Sequence, residues 1–515
     1  MTFLHLVLFA SDPAAACGGM FCNAIQPVDQ AAERIFFFYD QGRVTTEVQI
    51  AFEGEADEFA WVVPVPGEPT VEVSNDAMFT TLANQTTPVF QLGVDRPGSI
   101  GCAAEMAMSA DMAPREDGGG VTVVSEEAVG PYLSVVLQAE NADVLVIWLE
   151  DNGYSLPDGL DAVLQPYVAA GQYFVALKLL SDKDAGDIAP IVMSYAAEAA
   201  SIPIQLTAVA AVADMPIEVF VFGPSRAVPD NYLHVDINEA AINWYEGADN
   251  YREVVSAAVD EAGGLAFATD YAGPATDFSG LLDWTDRFSP DALREADPVS
   301  WLETIVYSGM PGSTQLTNLL LELVPPPDGV DGATFLQCPG CYEVEVEDWD
   351  AVVATDRFET EILEVMAEQQ ARIDGAAWGT RLFTTMDPAE MTADPVFVFN
   401  DAVEQTVLAT RSATSQERTN AFSGNVVSRT LILGDGREIV VPDGGEDVTA
   451  VREELGTPAA VRITDLSASG EGEVLFEHDV QADADAFNAG CSGEASALLA
   501  PAVLVLAAAA RRRRA

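Results

Sequence analysis

The scarcest chemistry-bearing side chain in this sequence is histidine, present only as His5, His234 and His478. His234 alone falls well inside the body of the chain, where an imidazole can shuttle protons near neutral pH. It sits in Tyr232-Leu-His-Val-Asp-Ile-Asn238, where polar and apolar residues alternate. That alternation predicts a strand with Tyr232, His234, Asp236 and Asn238 on one face. A histidine and an aspartate two positions apart can orient each other, as a catalytic acid–base pair requires. They can equally form an ordinary hydrogen-bonded patch. No G-x-S-x-G elbow and no H-E-x-x-H helix accompany them, so no catalytic residue is assigned.

Six cysteines offer the second chemistry. Cys338 and Cys341 form C-P-G-C, and Cys17 and Cys22 bracket the tetrapeptide Gly-Gly-Met-Phe. Thiol redox catalysis wants the first cysteine at a helix N-terminus, whose dipole lowers the thiol pKa. Here an acidic alternating stretch follows, and Glu343, Glu345 and Glu347 disfavour a thiolate. Local structural disulfides within each pair are the simpler expectation in an oxidising compartment. Cys17, Cys22, Cys338 and Cys341 also supply the right number of thiols for a closed zinc site. Cys102 is solitary and Cys491 belongs to the tail, so the body holds an odd number. No calcium loop and no phosphate-cradling glycine loop appears, and no cofactor is expected. Carboxylate pairs discriminate nothing, because 82 acidic residues guarantee chance neighbours. Trp61, Trp148 and Trp244 are expected to fill cores.

The two termini carry an address. Phe3–Ala10 is a short apolar core, and Ala14-Ala15-Ala16 before Cys17 forms a small-residue cleavage site, which predicts a signal peptide over residues 1–16. At the other end Cys491-Ser-Gly-Glu precedes an apolar run to Ala510, followed by Arg511, Arg512, Arg513 and Arg514. The run from Ala495 is 16 residues, about 24 Å as a helix, against the roughly 20 residues of an ordinary span. Four terminal arginines would stay on the cytoplasmic side. This predicts an exported protein, held at the envelope or its outer surface by residues 491–515, with the membrane and a sorting protease as partners.

Composition agrees with a folded, exported chain. Of 515 residues 49% are apolar, enough for a large core. Basic residues number 23 against 82 acidic, a net charge of −59, with Lys178 and Lys183 the only lysines. Such a surface repels phosphate backbones and excludes nucleic-acid binding. It attracts cations and basic partners, or simply keeps the protein soluble.

The elements that must position these residues are mostly strands. Arg34–Tyr39, a turn at Asp40-Gln41-Gly42 and Val44–Phe52 open a β-meander, and prolines confine Phe59–Pro66 to an edge. Val121–Val124, Tyr132–Gln138, Gln172–Leu180, Ile202–Val212, Ile217–Phe222 and Val396–Asn400 continue the β pattern, with a hairpin in Ser428–Val441. Asp158–Ala170, Tyr251–Ala262 and Glu359–Ile373 read as helices. Tyr342, Val344 and Val346 alternate with glutamates, one face buried and one solvated. Pro325-Pro-Pro-Asp-Gly329 is the clearest break. The expected organisation is a β-rich ectodomain over 17–324, a linker at 325–330, a mixed α/β region over 331–480 and an acidic stalk at 481–490. The fold class is α+β and β-rich, with sandwich-like antiparallel sheets first and a short apolar C-terminal helix.

Several stretches together resemble one exported bacterial family. They are Cys17-Gly-Gly-Met-Phe-Cys22, Gln26-Pro-Val-Asp29, Arg34-Ile35, Phe59-Ala-Trp-Val-Val-Pro-Val-Pro66, Trp148-Leu-Glu-Asp-Asn-Gly-Tyr154 with Leu156-Pro157, Gln172–Lys178, and Arg381–Met386 near Asp394-Pro395. The family is domain of unknown function 2330, and the likeness runs from Cys17 to about Asn400. It brings no activity and no catalytic residues. The tail resembles the cysteine-containing C-terminal sorting signal of myxobacteria, which implies processing near Cys491 and surface display. Three functional readings follow. The first is a non-enzymatic binding or structural ectodomain, the second an extracytoplasmic carboxylate-dependent hydrolase, and the third a structural-zinc or thiol-redox protein built on the C-P-G-C pair.

Overall fold

Ile35, Phe36, Phe37 and Phe38 are consecutive and all buried, which a one-sided strand cannot accommodate. A near-continuous apolar run fits a strand covered on both faces. The computed structural model describes residues 33–49, 60–95, 122–154, 156, 159–180, 188–209, 211–419, 426–441 and 457–480. Within them Glu33–Asp40 lies deep in a ten-stranded sheet. From one edge the strands are Glu473–Glu477, Ala460–Asp465, Leu233–Ile237, Ala266–Pro274, Trp378–Met386, Met215–Gly223, Glu33–Asp40, Arg43–Gln49, Ile191–Ala196 and Thr70–Val73. Glu33–Asp40 runs parallel to Met215–Gly223, and Leu233–Ile237 parallel to Ala266–Pro274; the other neighbours are antiparallel. The chain is β-rich α+β, as its residue pattern predicts.

Alternation along these strands sorts side chains to two faces. On one face Ile35, Phe37, Val219, Val221 and Leu382 meet a second sheet formed by Ala60–Val65, Tyr173–Leu179, Tyr132–Gln138 and Thr122–Val129. That smaller sheet turns Trp61, Val63, Val175 and Leu177 inward. Its outer side chains, Val62, Val135, Phe174 and Ala176, pack under the helices Ala142–Asp151 and Leu160–Ala169. Pro64 sits in the edge strand, where a residue without an N–H is tolerated. On the opposite face Phe36, Phe38, Phe220 and Phe222 form a stacked aromatic row, with Phe36 and Phe220 centroids 4.2 Å apart. Helices Ala77–Thr86, Pro298–Val306, Thr314–Leu323 and the Ala351–Asp374 run cover it. That run is α-helical to Phe358, π-helical over Glu359–Leu363 and α-helical again from Glu364.

Three expectations change. Ala60–Val65 leaves the first hairpin for the smaller sheet, so the opening strands are not a simple meander. Ile202–Val212 is not a strand but contains the short helix Ile204–Thr207. Pro203 cannot donate to a ladder, and Gln205 N instead donates to the Asp394 carboxylate at 3.1 Å. Tyr342, Val344 and Val346 do point inward while the intervening glutamates are exposed, but they press on the helical core without joining a sheet. The Pro325–Gly329 break links two helices, and Trp378–Met386 beyond it is hydrogen-bonded between Ala266–Pro274 and Met215–Gly223. Residues on both sides of the break therefore share one sheet. Residues 1–16, Cys17, Cys22, Cys102, the 481–490 stalk and the 491–515 tail lie outside the described residues.

Phe36 also makes an edge contact with Phe79, centroids 4.8 Å apart, and is fully buried. Phe36→Ala should cost about 3–5 kcal/mol of stability, read as a lower urea midpoint with an unchanged slope.

Candidate functional site

Leu233–Ile237 is a strand, and it places His234 and Asp236 with Nδ1 and Oδ1 3.8 Å apart. The two differ sharply in environment, since the His234 side chain is 6% exposed and that of Asp236 53%. The strand Ala266–Pro274 and the connection just before Ala227–Pro229 complete the surroundings of His234. Thr269 Oγ1 lies 2.9 Å from Nε2, and Arg226 Nη2 is 3.3 Å from Nε2 while donating to Thr269 Oγ1 at 3.0 Å. Because Arg226 donates to the threonine oxygen, the threonine proton is free to face Nε2. The network therefore assigns the imidazole proton to Nδ1, on the Asp236 side. Burial drives the His234 pKa down to about 4, with Arg226 lowering it further and Asp236 opposing. A hydroxyl, an imidazole and a carboxylate in this order mimic a nucleophile, a base and an orienting group. The resemblance is incomplete, since 3.8 Å exceeds hydrogen-bond reach and both Thr269 and His234 are buried. Arg226 is held mainly by a carbonyl, Nη1 donating to Glu404 O at 2.7 Å.

On the other face of the same sheet a row of charges crosses four adjacent strands. Arg34 Nε lies 3.3 Å from Glu218 Oε2, Glu218 Oε1 is 3.5 Å from Arg381 Nη2, and Arg381 Nε is 3.3 Å from Asp270 Oδ2. Tyr251, from the covering helix Tyr251–Glu261, donates to Asp270 Oδ1. Arg381 Nη1 donates to Thr87 Oγ1 at 2.6 Å. The pairing register shifts between Thr269 and Tyr271, so Asp270 occupies a bulge that turns its carboxylate toward Arg381. Burial pushes Asp270 up to about 6 against the pull of Arg381, and Tyr251 is raised well above its usual range. The Arg381–Asp270 contact is an ion pair without hydrogen-bond geometry. Neither Arg381 nor Asp270 follows from spacing rules, but each is a charged residue inside an otherwise apolar strand run, which is the usable signal.

Cys338 and Cys341 form a disulfide within a 3-10 turn, Cα atoms 5.4 Å apart. Gly340 N donates to Glu303 at 3.2 Å, so the turn is fastened to the neighbouring helix. Among the described residues no group of three or more His, Cys, Asp or Glu is arranged to hold a metal. Among the same residues no helix is long and apolar enough to cross a membrane. A cleft between the two larger sheets is walled by Trp61, Val63, Ile202 and Leu206, with Thr46 and Tyr195 hydroxyls 2.8 Å apart at its side. No carboxylate lines it.

Residues 11–295 match the family model described as an uncharacterized protein conserved in bacteria (DUF2330). The chain belongs to the DUF2330 family. No curated protein and no solved structure gives a significant match. Among the described residues, several stretches that carry the DUF2330 resemblance take part in these features. Trp61–Val65 walls the cleft, and Lys178 is fully buried over the Tyr154 ring, 4.2 Å from its centroid, while donating to Asn152 O. Arg381 holds the ionic row, and Asp394 accepts from Tyr167 at 3.0 Å.

Two buried groups give opposite pH slopes. Between its ordinary 3.8 and about 6, folded Asp270 retains a proton that the unfolded chain has lost, so stability falls as pH rises. Between about 4 and its ordinary 6.5, His234 stays neutral while the unfolded chain charges, so stability rises with pH. Urea midpoints measured from pH 4 to 7 should shift toward a rising slope in Asp270→Asn and a falling one in His234→Gln. Each change is at most about 1.4 kcal/mol per pH unit. Arg381→Met, which strands Asp270 and leaves Glu218 with Arg34 alone, should cost about 3–5 kcal/mol at neutral pH and less at acid pH.

Proposed function

We propose that this DUF2330 protein is an exported, envelope-anchored binding or structural ectodomain rather than an enzyme. The observation that carries the reading is that the buried carboxylates Glu47 and Asp270 are each paired with an arginine inside the fold. A hydrolase using Asp or Glu needs acids converging on a space that a substrate can enter. The deeply buried carboxylates Glu47 and Asp270 and the half-buried Glu218 instead face arginines, Glu47 lying 3.2 Å from Arg372. The imidazole at His234 is equally enclosed. The Cys338–Cys341 disulfide suits an oxidising compartment and speaks against reserving those thiols for zinc. Export and display rest on the signal-like residues 1–16 and on Cys491 with Arg511–Arg514, and the net charge of −59 favours cations or basic partners over nucleic acid.

Intact mass spectrometry of the protein from its own host tests the reading. The expected mature chain starts at Cys17, ends near Cys491 and gains about four hydrogens on reduction, two per disulfide. A full-length C-terminus would remove the processing claim. Retention of zinc by four reduced thiols under native conditions would move the protein to the metal-site reading. Turnover of a glycoside or ester substrate that Asp270→Asn leaves intact would point to a carboxylate site elsewhere.

A further inference from the structure

Three Asp–Pro bonds lie within the described residues: Asp297–Pro298, Asp387–Pro388 and Asp394–Pro395. The first two aspartates are exposed. Asp297 caps a helix, and hydrogen bonds from the Ser300 hydroxyl and nearby N–H groups hold its carboxylate below the usual range. Asp387 accepts from Asp214 N at 3.0 Å. Asp394 is different. Its side chain is half-buried, Pro395 is buried, and the bond between them is gripped by one residue. Asn231 Nδ2 donates to the Asp394 carbonyl at 2.7 Å, while Asn231 Oδ1 accepts from Val396 N at 2.8 Å. The Asp394 carboxyl is fixed as well. Tyr167 OH and Gln205 N both donate to Oδ1, at 3.0 and 3.1 Å, and the carboxyl takes further hydrogen bonds from the Gln205 side chain and from Ile204 N.

We propose that Asp394–Pro395 is a site of autocatalytic backbone scission, promoted by the fold and driven by the Asp394 carboxyl. Oδ2 adds to the Asp394 carbonyl carbon while the carbonyl oxygen, gaining negative charge, is held by the Asn231 amide. The bond to the Pro395 nitrogen breaks, and the carboxyl proton moves to that nitrogen. Water opens the resulting five-membered cyclic anhydride. The products are a C-terminal Asp394 and an N-terminal Pro395, with one water consumed and no oxidation. Proline suits the step, because its tertiary amide nitrogen becomes a basic secondary amine on leaving. Burial also keeps the Asp394 carboxyl protonated to higher pH than usual. The titratable groups around it are Tyr167, Tyr232, whose hydroxyl donates to Ala393 O at 2.6 Å, and Glu390, itself raised by burial.

Scission would leave both pieces assembled. Past Pro395, the strand Val396–Phe399 pairs with Ala200–Ser201 and Ala227–Pro229, and Ala460–Asp465 pairs with Leu233–Ile237. The residues that lead into the tail would then be held to the body by strand pairing instead of a peptide bond.

The test incubates the purified full chain at about pH 5, folded and in concentrated urea, and follows each Asp–Pro bond by mass spectrometry. The folded protein should split between Asp394 and Pro395 about ten-fold or more faster than at Asp297–Pro298, while urea equalises the bonds. Asn231→Ala should slow the folded rate about ten-fold and leave the urea rate unchanged, and Pro395→Ala should stop scission at this bond. Folded scission no faster than at Asp297–Pro298, or no faster than in urea, overturns the proposal, because the bond would then show only the acid lability common to all Asp–Pro pairs.

Discussion

The arrangement of this protein depends on keeping charge inside a sheet too wide to expose either face. Ten strands leave the central ones covered on both sides, and Arg381 and Asp270 lie in that covered zone. Neither charge could remain there alone, since an unpaired buried ion costs several kcal/mol. They are compensated across strands: Asp270 by Arg381, Arg381 by Glu218 as well, and Glu218 by Arg34 nearer the solvent. This chain of contacts fixes the register of four strands simultaneously, because a slip of one residue would reverse every side chain in it. It also separates two apolar cores, the aromatic row around Phe36 and Phe220 and the cluster around Phe383 and Val255.

Much of this was legible in the residues, and the parts that were not share a cause. Strands and helices with a clear period were foreseen, among them Tyr173–Leu179, Leu160–Ala169 and Tyr251–Glu261. Partnership was not. Nothing local says that Ala60–Val65 deserts its neighbouring hairpin, or that Trp378–Met386 inserts beside residues more than 100 positions earlier. The prolines at 325–327 look like a linker by composition, yet Val324 is buried and Val330 packs against the helical core. Proline marks where a helix stops; whether a domain stops there depends on distant pairing. Of the site residues, His234 and Asp236 were visible through alternation, whereas Thr269 comes from another strand and Arg226 from a connection, and they complete the network only in the fold.

The same network explains how so acidic a chain can have so neutral an interior. Several of the few cations are drawn inward: Arg226, Arg381, Arg437 and Lys178 are buried and Arg372 nearly so. Arg372 meets the fully buried Glu47, joining the Glu364–Asp374 helix to the sheet, and Gln369 from the same helix donates to Glu47 at 2.6 Å. The exterior is left with carboxylates and few counter-charges. Its self-repulsion weakens as ionic strength rises, so salt tightens the folded state without touching the interior pairs.

The position of Trp378–Met386 carries a consequence for how the chain reaches this state. The strand joins Ala266–Pro274 to Met215–Gly223, and Met215–Gly223 in turn receives Glu33–Asp40. A ribosome must therefore deliver Met386 before the middle of the sheet can close, and Glu477 before its far edge is laid. Until then the nascent chain exposes apolar strands that have no permanent neighbour, and contacts so far apart in sequence form slowly. The N-terminal half alone cannot complete the ten-stranded sheet. That sheet closes late in synthesis, and its apolar strands depend in the interval on whatever shields them.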